Sequence, residues 1–211
     1  MGGGAIHLTF IMHLFRVMNL KVLKLCGFFG MVTPLFGLFI VAASIWAAPW
    51  FSWTANALSD LGAEGFESVL FNSGLPMTAA LMMMFSAGLF EMTKGDLIGQ
   101  AGSALHLAAS VLLIGIGVAN INVEPWHYYV SVGFFVTLPL AVAAIGLFCF
   151  RKRMRFYALL AWGTAILAAG VWLLPWPSVA IPEALSVSFI SIWQILLAYW
   201  MYTRKEVKLG E

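Results

Sequence analysis

The sequence predicts an all-α integral membrane protein. It is expected to be a six-transmembrane-helix bundle in the cell membrane, both termini cytoplasmic, with an amphipathic outer cap between helices 1 and 2. Three observations predict this. Charged residues make up only 9% of 211 residues and apolar residues 62%, far from the soluble globular norm. Six long apolar stretches divide the chain, most near the roughly 20 residues that cross about 30 Å of hydrocarbon. All eleven Lys and Arg fall in alternate gaps between those stretches. Arg16, Lys21 and Lys24 precede the first stretch and Lys94 separates the second from the third. Arg151, Lys152, Arg153 and Arg155 separate the fourth from the fifth, and Arg204, Lys205 and Lys208 follow the sixth. Basic loops stay cytoplasmic during insertion, so the alternation orients every span. A chain of this length fits one bundle with no separate soluble domain.

Residues 1–25 read as a cytoplasmic or interfacial segment. Residues 5–24 suit a short interfacial helix with His13, Arg16 and Lys24 on its polar face. The other reading takes Met18 as the start and the residues before it as an extension. Both stand, so His7 and His13 receive no role. The first apolar run, Cys26 to Ala48, is too long for the h-region of a cleaved signal peptide. Ile6 stands where a myristoylation site has Ser or Thr. Cys26 and Cys149 fall near the cytoplasmic ends of their spans without metal-type spacing, so neither a disulfide nor a zinc site is expected.

After span one, 26–48, the twenty residues 49–68 are too apolar to float in water (Trp50, Phe51, Trp53, Leu58, Leu61, Phe66). They are expected to lie in the interface as a short helix or re-entrant cap, with Ser52 or Thr54 as N-cap and Gly62 as terminator. Its most distinctive run is Asn56-Ala57-Leu58-Ser59-Asp60-Leu61-Gly62. On a helix, Asn56, Ser59 and Asp60 share a face that can meet Asn72 at the head of span two. One reading is a clasp in which Asn and Asp saturate backbone groups that lipid cannot satisfy. The other is a binding surface.

Span two covers 69–91. Pro76 is expected to kink it, and Met77, Met82, Met83 and Met84 give it an adaptable packing surface. The turn Thr93–Asp96 leads to span three, 97–121, with an intramembrane polar stripe of Ser103, His106 and Ser110. His106 sits about 14 Å into its span by helix rise. Gly99, Gly117 and Asn120 extend the stripe, which must face other helices. A neutral His bonded to Ser is the plain reading, and a transport path is the sharper one.

The next outer turn holds Asn120, Asn122, Glu124 and His127, with Ser131 one helical turn below His127. Glu124 is placed to orient the His127 ring. Asp60, Glu124 and His127 would make an oxygen-plus-imidazole cation site or an acid/base pair. With neither HExxH nor paired-His spacing, no metal site is predicted. Span four runs 127–150 with Pro139 inside it. The turn 151–155 leads to span five, 156–174, then span six, 184–203, and the tail 204–211. The short turns make spans two and three, and four and five, antiparallel neighbours. Pro-Trp recurs at 49–50, 125–126 and 175–176; Pro stopping helices and Trp preferring the interface accounts for this better than internal repetition.

The charge is strongly sided. Asp60, Glu64, Glu67, Glu124 and Glu183 give the outer segments −5, while eleven basic residues against Glu91, Asp96, Glu206 and Glu211 give the inner segments +7. The positive inner face suits anionic headgroups, although insertion alone explains it. The outer carboxylates must find backbone donors, a protonated His, a cation or a ligand. No Ser/His/Asp pattern, phosphate-binding Gly loop, haem His pair or Cys cluster occurs. No cofactor is predicted, and membrane lipids rather than nucleic acid are the expected partners.

Asn56 to Gly62, then Phe71-Asn72, then His127 opening a span that continues to Phe134-Phe135, resembles the domain-of-unknown-function 998 family of prokaryotic six-span membrane proteins. The resemblance covers essentially everything after residue 20. The chain departs from it at Pro182-Glu183-Ala184, where the family pattern has an acidic–Arg pair. Through relatives of the Frag/DRAM type, the resemblance implies a six-helix fold and a link to lipid, with no established reaction.

The leading functional expectation is a non-enzymatic protein that binds or organises lipid through its outer face, using Asn56, Ser59, Asp60, Asn72, Glu124 and His127. The alternative is a lipid-modifying hydrolase or transferase with Asp60 and His127 as catalytic residues, with or without a divalent cation. Third is a small-molecule transporter using His106.

Overall fold

The computed structural model describes residues 3–204, with side chains from Leu20 onward. The polar face expected of His13 and Arg16, and the tail beyond Arg204, lie outside the described residues. Among the described residues there are helices and no strands, and six helices are long and apolar enough to cross a membrane. The chain is a multi-pass membrane protein.

The helices are α1 (Gly3–Ala47), α2 (Gly65–Met92), α3 (Leu97–Val118), α4 (Trp126–Arg151), α5 (Arg155–Gly170) and α6 (Ala180–Thr203). Several bounds differ from the sequence expectation for local reasons. The interfacial segment and the first span form one continuous helix, α1, because nothing between residues 20 and 30 breaks it. α3 stops at Val118, where Ala119 leaves helical geometry and Asn122 N donates to Asn120 Oδ1 at 3.1 Å in an Asx turn. α5 ends at Gly170 and a 3-10 turn, Val171–Leu173, completes its span. α6 begins four residues early, since Pro182 in a first turn removes only a donor that the helix leaves unpaired.

Each helix packs on its neighbours in sequence, and α6 packs back on α1, closing a six-helix ring. Small residues set the spacing, as expected where lipid supplies no hydrophobic drive between helices. A Cβ at Gly30 would stand 2.3 Å from the Phe85 ring and 2.7 Å from Ala198 Cβ, so α1 lies against both α2 and α6. Pro76 lacks the N–H that would engage the Asn72 carbonyl. Gly117 of α3 closes on that oxygen, where a Cβ would stand 2.7 Å away. The outside of the ring is apolar: Trp46 is 87% exposed and Leu173 86%. Such a surface belongs against hydrocarbon.

One end of the bundle carries the described Lys and Arg clusters and two tight turns. There Asp96 accepts the Gly99 N–H at 3.0 Å and meets Arg151 at 3.5 Å, tying the start of α3 to the end of α4. The opposite, basic-free end carries the three longer connections, and Trp50, Trp53, Trp126, Tyr128 and Tyr129 are exposed around it.

Candidate functional site

The cap over the basic-free end is a short 3-10 turn, Leu58–Gly62, held from every side. Asp60 Oδ2 accepts from Asn56 Nδ2 at 3.0 Å and from Ala57 N at 2.9 Å, so this carboxylate closes its own turn. Asn72 Nδ2 donates to Gly62 O at 2.9 Å from α2. Asn122 Nδ2 donates to Ala63 O at 2.9 Å from the α3–α4 connection. From α6, Ala180 N donates to Asn56 O at 3.1 Å, and Glu183 Oε2 accepts from Leu58 N at 2.7 Å. The conspicuous Asn-x-Leu-Ser-Asp-Leu-Gly run is thus a knot of backbone satisfaction, built where lipid offers no partners.

His106, Ser103 and Ser110 are all fully buried between helices. His106 Nδ1 lies 2.8 Å from the Ser86 hydroxyl of α2, not beside either serine of its own stripe. Ser103 is 3.1 Å from Thr93 Oγ1, and Ser110 donates to His106 O at 3.0 Å. Phe85 and Trp193 flank the His106 ring at centroid distances of 5.4 and 6.2 Å.

Below the cap a cavity of about 780 Å³ opens between α4 and α5. That volume falls within the range that ligand pockets occupy, roughly 300–1,000 Å³. Its walls are apolar, with Val132, Val136, Leu140, Ile166 and Trp172 among them, and small where the helices would otherwise touch, at Ala143, Ala165 and Ala169. The helices meet closely nearer the basic end, where Trp162 donates to Ala143 O at 3.2 Å and a Gly146 Cβ would stand 2.8 Å from Trp162 Nε1. Toward the other end Phe135 packs on Trp172 at 4.9 Å. From Ser131 to Ala143 the groove follows α4 for about 18 Å by helix rise, close to the depth of one leaflet.

The polar groups of the groove, Ser59, Glu124, His127, Tyr128, Ser131 and Glu183, collect at its basic-free end. His127 Nδ1 is 2.8 Å from the Ala119 carbonyl, which accepts only, so the proton sits on Nδ1. The Ser131 hydroxyl, at 3.3 Å, then donates to Nε2 when the ring is neutral. Glu124, expected to orient this ring, is exposed and has no hydrogen bond among the described residues; a backbone carbonyl does that work because α3 ends one turn earlier than its apolar run. Glu183 is 8% exposed, and the only hydrogen bond of its carboxyl group among the described residues is the one to Oε2. Asp60 stands near enough to Glu183 for the two charges to repel.

Of the residues that sequence reasoning selects for binding, Ser59, Glu124 and His127 line the groove, while Asn56, Asp60 and Asn72 serve the cap. Of Asp60 and His127, paired in the catalytic alternative, only His127 lines this groove. Sequence reasoning does not single out Glu183 as a site residue. The available signal is an acidic residue in the first turn of an apolar span, at an end with no Lys or Arg. No group of three or more metal-type side chains occurs among the described residues.

A family model described as a protein of unknown function, DUF998, matches residues 31–200. No curated protein and no solved structure matches the chain.

Proposed function

The chain belongs to the DUF998 family, and from that premise we propose that it binds membrane lipid without catalysis, holding an acyl or similar chain in the groove between α4 and α5 with the lipid head under the cap. The observation that carries this reading is the groove itself: about 780 Å³, apolar along its length and polar only at one end. Its reach of about 18 Å along α4 suits a single chain from one leaflet. By the positive-inside rule the basic end faces the cytoplasm of the cell membrane, so both termini are cytoplasmic and the groove head opens to the outer leaflet.

The test uses the full chain in phosphatidylcholine vesicles containing a diazirine-tailed fatty acyl probe. Photolysis and peptide mapping should place adducts on Val136, Leu140 and Ile166. An Ala143→Phe variant, which fills the groove, should lose those adducts and keep the ones on lipid-facing Leu35 and Phe39. Adducts spread evenly over all lipid-facing helices in both proteins would sink the proposal.

The other two readings draw less support. Asp60 Oδ2 takes two donors within the cap and Asp60 does not line the groove with His127, which gives the catalytic pairing less support. His106 is fully buried and does not line the groove, so the groove lends the transport reading no support.

A further inference from the structure

We infer that the groove selects lipids whose head donates hydrogen bonds and carries no phosphate: a hydroxyl-bearing or amine-bearing head on a single apolar chain. This rests on the lipid-binding reading above and adds the chemistry of the head. Two carboxyl groups, Glu124 and Glu183, line the groove together with three hydroxyls, those of Ser59, Tyr128 and Ser131, and the His127 ring. An ionised carboxylate only accepts hydrogen bonds. Glu183 is more than nine-tenths buried and lines the groove, and Oε1 has no partner among the described residues. The Ser59 hydroxyl, 7% exposed, also has none. Ser131 spends its proton on His127 and offers only lone pairs to a ligand.

The His127 ring adds no free donor while it is neutral, since its one N–H is held by Ala119 O. No Lys or Arg lies on the connections that frame this end, and Asp60 adds a further negative charge beside Glu183. A phosphate brought here would find donors only in the Ser59 and Tyr128 hydroxyls, and wherever the carboxyl groups are ionised it would meet like charge in a low-dielectric setting, where such repulsion is strong. A hydroxyl or ammonium head meets acceptors that lack donors, and a charged partner strengthens each bond.

The experiment is competition for the photolabelled groove, with full-length protein in phosphatidylcholine vesicles. The probe is a monoacylglycerol with a diazirine in its chain. The competitors share one oleoyl chain length and differ in head: monooleoylglycerol, oleylamine and lysophosphatidic acid. The first two should displace the probe at about tenfold lower concentration than the phosphate-bearing lipid, the scale of one charge-assisted hydrogen bond. Whichever of the first two competes better identifies the source of the donor. Glu124→Gln, an exposed substitution that leaves the cap intact, should narrow the gap, and Glu183→Gln should narrow it further. Equal displacement by all three, with labelling still confined to the groove, overturns the head selectivity and leaves the chain site standing. Loss of groove labelling altogether overturns the lipid-binding reading itself.

Discussion

Glu183 of α6 accepts the backbone N–H of Leu58 at 2.7 Å across 125 residues of sequence. One carboxylate oxygen therefore pins the start of the cap's 3-10 turn, while the side chain also forms part of the groove head. Replacing Glu183 with Leu leaves the Leu58 N–H buried without a partner, at a cost of about 1–3 kcal/mol. The thermal unfolding midpoint in detergent, followed by tryptophan fluorescence, should fall by several degrees. Glu183→Gln keeps an acceptor oxygen and should fall much less; equal losses in the two variants would contradict the assigned hydrogen bond.

Asn56 and Asp60 act as a unit, because one Asp60 oxygen takes donors from both the Asn56 side chain and Ala57 N. Asn56→Ala and Asp60→Ala should each destabilise the protein, and the double variant should lose less than their sum. A coupling of about 0.5–3 kcal/mol is the expected scale for residues in one network. Strict additivity in chemical denaturation would show that the pair does not form.

Gly62 sits where a Cβ would stand 2.5 Å from Asn72 Oδ1 and 3.4 Å from the Phe71 ring. Gly62→Ala should therefore destabilise the cap by roughly 1–3 kcal/mol through overpacking. Shortening the obstacle with Asn72→Ala should rescue part of that loss. The readout is limited proteolysis at 49–64, which should speed up in the single variant and slow again in the double.

His106 presents Nδ1 to Ser86 and makes no hydrogen bond through Nε2 among the described residues, with Phe85, Trp193 and the buried Gln194 side chain about the ring. Ser86 keeps an acceptor in Met82 O when His106 is removed. His106→Leu, close in volume and apolar, should stay within about 1.5 kcal/mol of the parent. His106→Ala leaves a cavity and should cost about 2–5 kcal/mol. A large loss for Leu equal to that for Ala would mean that the imidazole bonds more of the core than Ser86.

The fold was legible because its signals are local. Six runs long enough to span hydrocarbon, and basic residues confined to alternate gaps, need no tertiary information. Boundaries shifted where local chemistry intervened, as at the Asx turn of Asn120 and at Gly170, and where no breaker separated two expected segments, as in α1. The polar stripe of α3 was legible as inward-facing, since a His and two Ser cannot face lipid. Its partner was not, because Ser86 lies on another helix and no spacing rule connects positions 86 and 106.

The site was half legible for the same reason. Asp60 and Asn72 stand out in sequence and turn out to hold the cap together. Ser59, Glu124 and His127 stand out equally and line the groove. Nothing in the local pattern separates these two groups, since each residue's use depends on which helix end it meets.

By itself the sequence determined the environment, the number of spans and the sidedness of charge, all of which follow from transfer of each segment between water and hydrocarbon. Only the tertiary structure decided where the ring parts to leave a groove, and that Glu183 and not Asp60 stands at its head. The physical reason is that insertion is a sum over single segments, whereas a cavity and its polar lining are set by contacts between α4, α5, α6 and the cap, residues far apart in the chain whose packing no single segment encodes.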